Sequence, residues 1–268
     1  MELYPDQSER CPLCTWKEKT YLKSVLMPGT ILRERFIVGT DRGQTLDGFI
    51  YIGWDQLFKR KVLIQECIQE SMQEKDRFLM TGEMLLRLDG TPGLLDVFCV
   101  FPENERAYWI LEYPGELTLK DMIRTRGILE FEDVQWMLRE IAETLSITHC
   151  RGVYHGQLSS QYCYILPSGE VKLGGFTIRS GFENKPENQM KRDVEGLAKI
   201  AIYALTGAEI QINEYQNEVI EKLKKSCTKE AFEVLEKVLW KSEKEIPVNT
   251  KRFIDLFNGD ATIQLTEK

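Results

Sequence analysis

The sequence predicts an α+β chain of two lobes, a small sheet-rich lobe with one helix and a larger, mainly helical lobe. Three observations predict it. Apolar residues recur mostly with period two across 30–113, as in half-buried strands. From about residue 118 onward they recur with the helical period instead. The join between the two regimes falls near Tyr113–Thr118. With 268 residues the chain forms one large or two small domains and buries a sizeable core. The expected boundaries are an N-terminal extension over 1–26, the sheet-rich lobe over 27–113, the helical lobe over 114–258 and a tail over 259–268.

Taken in order, 48–54 and 61–67 are apolar, β-branched or aromatic runs, as strands should be. A helix follows, with Phe78, Thr81, Leu85 and Leu88 on one face. Residues 97–101 and 107–113 form a strand pair around the polar turn Glu103-Asn104-Glu105-Arg106. Phe131, Val134, Leu138, Ile141 and Leu145 make one stripe of a long helix. Two short strands, 162–166 and 170–173, flank Pro167-Ser168-Gly169. Residues 193–206 read as a helix apolar on most sides, hence central, and Gly207 stops it. Helices near 228–240 and 250–258 follow, with Thr228 and Asn249 as N-caps.

Charge narrows the function classes. The net charge is −7 with no basic block, which argues against a nucleic-acid binder and against a polybasic membrane-surface protein. No run reaches the length of a spanning helix, and the first ten residues lack a signal-peptide pattern. The expectation is a cytoplasmic protein. Its seven cysteines, an odd number mostly inside apolar runs, are expected as free thiols.

The motifs then carry a resemblance. The run PGTILRERFIVG…YIGWDQLFKRKVLIQE, the segment VYHGQLSSQYCYILPSGEVKLGGF, the helix RDVEGLAKIAIYALTG and the ending FEVLEKVLWKSEKEIPVNTKRFIDLF together resemble bacterial, eukaryotic-like Ser/Thr protein kinases. The match runs over about 27–258, with the motifs in family order. It implies a protein-kinase-like bilobal fold. It also implies that His155, Phe176, Leu85 and Val97 tie the lobes together, and that the acid at Asp193 caps backbone N–H groups of the catalytic loop.

The same alignment puts unusual residues at the chemical positions. The phosphate-pairing lysine is replaced by Gln65, and its glutamate partner by Thr81, unless Glu83 takes that place in a shifted register. The general base position is Gln157, whose amide accepts no proton near neutral pH. The two Mg²⁺-holding positions are Tyr162 and Gly175, and neither offers a hard oxygen in its side chain suited to the metal. In the glycine-rich loop Gly43 and Gly48 remain, with Thr45 between them, and Asp47 adds negative charge. Leu63 and Tyr164 enlarge the two walls of the adenine pocket; Leu111 lines it, and the hinge position is Pro114, which has no N–H. Before Pro247 the arginine of the family is Ile246, and the activation segment between Thr177 and Asp193 is short.

From these residues the expected function is a catalytically inactive member, a pseudokinase, serving as a protein-interaction or allosteric module. It is expected to be no enzyme and to bind no ATP or Mg²⁺ in the usual way. Its expected partner is a protein, an active kinase or a signalling client, docking on 209–240 or on the short activation segment. One alternative is an atypical ATP-dependent kinase or other transferase, with Arg42 replacing the lysine and Asp41 or Asp47 helping to hold metal. Another is a small-molecule sensor using the interlobe cleft. Cys11 and Cys14, in Cys-x-x-Cys spacing, supply two of the four ligands of a structural zinc. Zinc then needs a dimer or partner to donate the other two; otherwise the pair is a metal-free turn.

Overall fold

The structure is a computed structural model that describes residues 25–177, 185–210, 216–240 and 249–260. Cys11, Cys14, Ile246 and Pro247 lie outside the described residues. A six-stranded antiparallel sheet comes first: β1 (Ile31–Leu32), β2 (Phe36–Gln44), β3 (Gly48–Asp55), β4 (Arg60–Cys67), β5 (Val97–Glu103) and β6 (Arg106–Glu112). Its strand order is β1-β2-β3-β4-β6-β5. One helix, α1 (Met72–Leu86), packs on it. The helical part holds α2 (Leu119–Arg126), α3 (Phe131–Cys150), α4 (Pro186–Thr206), α5 (Asn217–Ser226), α6 (Lys229–Trp240) and α7 (Thr250–Phe257). A two-stranded hairpin, β7 (Cys163–Ile165) with β8 (Val171–Leu173), lies between α3 and α4 in sequence.

The strands follow the apolar alternation. On β3 and β4 nearly every position is buried, because one face meets α1 and the other a second apolar cluster around Phe36, Tyr51, Ile64 and Tyr108. Trp109 is fully buried, stacks on Phe78 at 4.1 Å between ring centroids, and donates its indole N–H to the Phe78 carbonyl. That ring explains why the inward face of α1 carries Gly82: a Cβ there would sit 2.3 Å from the indole nitrogen. Thr81, placed on the apolar stripe from sequence, is only half-buried, and Glu83 is exposed.

Three helices depart from the expected pattern. α2 is short and mostly polar, so its apolar period is weak, but Thr118 caps it by accepting the Asp121 N–H at 3.1 Å. α4 begins seven residues before the expected start, with Pro186 in its first turn. α5 was expected only as part of a helical region. Asn249 and Thr228 both cap as expected, accepting from Arg252 N at 2.8 Å and Ala231 N at 3.2 Å.

Two sets of contacts join the lobes. Leu95 N and Leu173 N exchange backbone bonds with Leu173 and Gly93 carbonyls, at 3.0 and 2.8 Å. The second set is made of side chains, Gln65 to the Phe176 carbonyl at 2.7 Å and Lys172 to Glu112 at 2.6 Å. Within the helical lobe, the floor under these contacts is fixed by Asp193 of α4, which is fully buried. Its carboxylate accepts the backbone N–H groups of His155 and Gly156 at 2.9 and 3.0 Å and lies 2.8 Å from His149 Nε2. The His155 ring in turn stacks on Phe176 at 4.6 Å.

Gly82→Ala should lower the urea midpoint: overpacking costs about 1–3 kcal/mol, more than the helix-propensity gain of up to about 1 kcal/mol. An unchanged midpoint would mean that Trp109 shifts freely. A second expectation concerns acid. Burial pushes the His155 imidazole below its ordinary value of 6.5, against the pull of Asp193. The unfolded chain takes up a proton there as pH falls through about 6.5 and the folded chain does not, so stability should drop on acidification below that value. In His155→Phe, which keeps a stacked ring, urea titrations across pH should lack that component.

Candidate functional site

The cleft between the sheet and the helical part brings together most of the positions singled out in the sequence. Its roof is β4 and the turn between β2 and β3; its floor is the segment from His155 to Tyr164 and from Gly174 to Thr177. Gln65 lies on β4, paired in register with Ile50 and Trp109. It is buried and donates its amide N–H to the Phe176 carbonyl at 2.7 Å. A neutral side chain of the roof thus bonds directly to the backbone of the floor.

The β2–β3 turn is built by Thr45. Its hydroxyl accepts the N–H groups of Asp47 and Gly48 at 3.3 and 3.1 Å, while its own N–H bonds the Gly48 carbonyl at 2.8 Å. Gly48 is required by close backbone approach, since a Cβ there would lie 2.2 Å from the Glu66 carbonyl oxygen. Gly43 sits in β2 at a φ of 151°, with open space around its Cβ position. The turn rests on the floor through two hydrogen bonds. Leu46 N donates to Gln157 Oε1 at 3.1 Å, and the Tyr162 hydroxyl donates to the Gln44 carbonyl at 3.0 Å.

Tyr162 and Gly175, the two positions aligned with metal-holding residues, touch each other. A Cβ on Gly175 would lie 2.2 Å from Tyr162 Cδ1, and Gly175 has a φ of 68°. Burial raises the Tyr162 phenol above its ordinary value; Gln161 opposes this and Asp47 adds to it. Asp47 itself is buried. Further along the cleft Leu63 pairs in register with Leu111, and both are buried, as are Pro114 and Tyr164. Burial pushes the Tyr164 phenol up to about 12.

The groups proposed as replacements are placed elsewhere. Arg42 donates to the Glu116 carbonyl and lies 3.8 Å from Asp121, at the hinge end. Asp41 Oδ1 accepts the Gly43 N–H at 3.0 Å. Among the described residues no group of three His, Cys, Asp or Glu side chains is arranged to hold a metal ion. At the two positions the resemblance assigns to Mg²⁺, Tyr162 and Gly175 offer no carboxylate or amide oxygen, so these side chains do not fit the ion. Gln65 is neutral and bonds the Phe176 carbonyl, while Thr81 is half-buried and Glu83 exposed.

Sequence reasoning missed the groove beside Gln157. A cavity of about 500 Å³ opens there, lined among others by Lys120, Gln157, Ser159, Lys199 and Tyr203. The Ser159 hydroxyl is buried there without a hydrogen-bond partner. The helical spacing of Lys199 and Tyr203 on α4 was a usable signal, masked by the apolar character of the rest of that helix.

Known proteins resemble this chain at three levels. The family model described as protein tyrosine and serine/threonine kinase matches residues 42–233. The CBL-interacting protein kinase 28 of rice is 24% identical over 169 residues, covering 59% of this chain and 37% of that protein. A probable serine/threonine-protein kinase of Clostridium acetobutylicum is 22% identical over 155 residues, covering 57% of this chain and 23% of that protein. The chain thus spans well under half the length of these relatives. Among solved structures, Rad53 1–466 in complex with AMP-PNP superposes with a TM-score of 0.67 at 15% identity, covering 81% of this chain and 64% of that one.

These findings correct three expectations. The reading of a non-catalytic pseudokinase module, of no enzyme, and of no ATP or Mg²⁺ is overturned by a kinase-family match and by relatives named as protein kinases. The physical reason is that phosphoryl transfer rests on positioning and electrostatics. Counting substituted residues at fixed positions therefore overstates what is lost. The α+β, protein-kinase-like bilobal architecture stands as expected, and the chain belongs to the protein tyrosine and serine/threonine kinase family.

Proposed function

We propose that this chain is an atypical Ser/Thr protein kinase domain of the bacterial type, which moves the γ-phosphoryl group of ATP to a protein hydroxyl. The observation that carries this reading is the family match over 42–233, which runs through both lobes and the cleft between them. The sheet-rich lobe, 27–113, and the helical lobe, 114–258, are the working units of the proposal. Gly43, Gly48, Leu63, Leu111, Pro114 and Tyr164 frame the nucleotide. The groove beside Gln157 receives the protein substrate. Gln157 is neutral, so its task is to position and not to accept a proton. No step is routed through a metal, because Tyr162 and Gly175 lack ligands at the two positions the resemblance assigns to it.

Closure of the cleft is compatible with this reading. The turn is held to the floor by two hydrogen bonds, Leu46 to Gln157 and Tyr162 to Gln44. Neutral bonds of this kind contribute only about 0.5–1.5 kcal/mol each, so a ligand favouring the open cleft shifts the balance readily. The reducing compartment of a cytoplasm suits the free thiols among the described residues. No helix among those residues is long and apolar enough to cross a membrane.

Labelled γ-phosphate should appear on the chain or on a serine- and threonine-rich protein substrate when ATP is supplied with Mg²⁺ or Mn²⁺. Absence of label with either ion would overturn the proposal. Tyr162→Phe removes one tether and should tighten ATP binding, read by calorimetry, by roughly 2- to 10-fold. Unchanged affinity would show that the turn does not gate the cleft.

A further inference from the structure

The turn between β3 and β4, residues 56–59, stands away from the cleft. At its tip Leu57 and Phe58 are 65% and 62% exposed. Two more exposed apolar residues adjoin it: Ile31 pairs in register with Ile37, and Ile37 with Trp54, at the same end of the sheet. Isolated exposed leucines need no explanation, but four large exposed apolar side chains at one end of a sheet do.

This tip is built rigidly. Asp55 is fully buried and takes Arg35 in a two-pronged ion pair, at 2.8 and 2.7 Å. The same carboxylate accepts the N–H groups of Leu57 and Phe58 at 3.1 and 3.4 Å. The Phe58 ring is flanked by the guanidinium groups of Arg35 and Arg60, at 5.0 and 5.1 Å. Lys59 and Lys61 are exposed beside it. The net charge of −7 therefore hides a local excess of cations, Arg35, Lys59, Arg60 and Lys61 against the one carboxylate of Asp55, around an exposed Leu-Phe pair. The acid on this turn, Asp55, pairs with both Arg35 and Arg60, at 2.7 and 3.7 Å, which leaves one guanidinium charge and the ammonium groups of Lys59 and Lys61 uncompensated on the turn.

We propose that this tip docks the domain on an anionic lipid surface, with Leu57 and Phe58 entering the headgroup–acyl boundary and these cations meeting the lipid phosphates. Two adjacent exposed apolar side chains at a hairpin turn suit insertion into a bilayer better than capture of a peptide, which needs a groove to cover its backbone. The composition is that of an interfacial element: apolar and aromatic side chains at the apex, cations one layer behind. Pre-ordering by Asp55 and Arg35 removes much of the cost of immobilising the turn on binding.

The test is co-sedimentation of the full chain with vesicles of phosphatidylcholine alone or mixed with phosphatidylserine, at low and high salt. Binding to the mixed vesicles only, weakened by salt, is expected. Leu57→Ser with Phe58→Ser should abolish it. Lys59→Asn with Lys61→Gln should weaken it by roughly fivefold for each cation removed; asparagine suits the left-handed φ of 51° at Lys59. Unchanged thermal midpoints of both variants confirm that the fold is kept. No binding to mixed vesicles, or full binding by the Leu57/Phe58 variant, would overturn the proposal. So would full displacement by soluble glycerophosphoserine, which would mark a site for a free anion. Self-association in solution that the Leu57/Phe58 variant abolishes, without vesicle binding, would assign the tip to a second copy of the chain instead.

Discussion

The buried carboxylate of Asp193 is the constraint on which the rest of the site hangs. An ionised carboxylate without partners inside the protein would cost several kcal/mol. Here two backbone N–H groups and one imidazole surround it. That arrangement fixes the loop at His155 and Gly156 to the central helix. The His155 ring then stacks on Phe176, and the Phe176 carbonyl takes the amide of Gln65. One continuous series of contacts therefore runs from the middle of the helical lobe to the centre of the sheet. Each link is set by the one before it, so displacement of α4 would be felt at β4.

Inside the cleft the bonds between roof and floor are neutral; the charged crossings, Arg42 to Glu116 and Lys172 to Glu112, lie at its hinge end. Gln65, Gln157 and Tyr162 all make hydrogen bonds between the roof and floor of the same cleft. Amides and phenols satisfy their partners without the desolvation penalty of a buried ion. The result is a closed cleft held by several small contributions. Of the charged residues near its mouth, Arg42 reaches across the hinge to Glu116 and Asp121, and Asp41 is held within its own strand.

Much of the fold was legible because periodicity reports burial. The strands around Ile50, Leu63 and Trp109 and the long helix through Leu138 and Leu145 read directly from their apolar spacing. α2 did not, because eight largely polar residues carry too little pattern; the Thr118–Asp121 capping pair was its real signal. The start of α4 was hidden by its polar first turns. Within the site, each substituted position could be named from sequence, but the bonds between them could not. Gln65 and Phe176 lie 111 residues apart, and nothing local announces their contact. The conclusion of inactivity went further than the residues allowed, because a list of replaced side chains describes positions and not the chemistry of the whole cleft.

The contact between Tyr162 and Gly175 has a consequence for how this sequence can change. With the ring of Tyr162 pressed on the Cα of residue 175, any larger residue there is blocked while the tyrosine remains. The left-handed backbone at 175 adds a second obstacle for any branched side chain. Position 175 is not free to drift alone toward an acidic or amide-bearing side chain. The first viable mutational step must shrink residue 162, and that step also gives up the bond to Gln44. The two sites are thus coupled epistatically, and the order in which they are substituted decides whether each intermediate still folds.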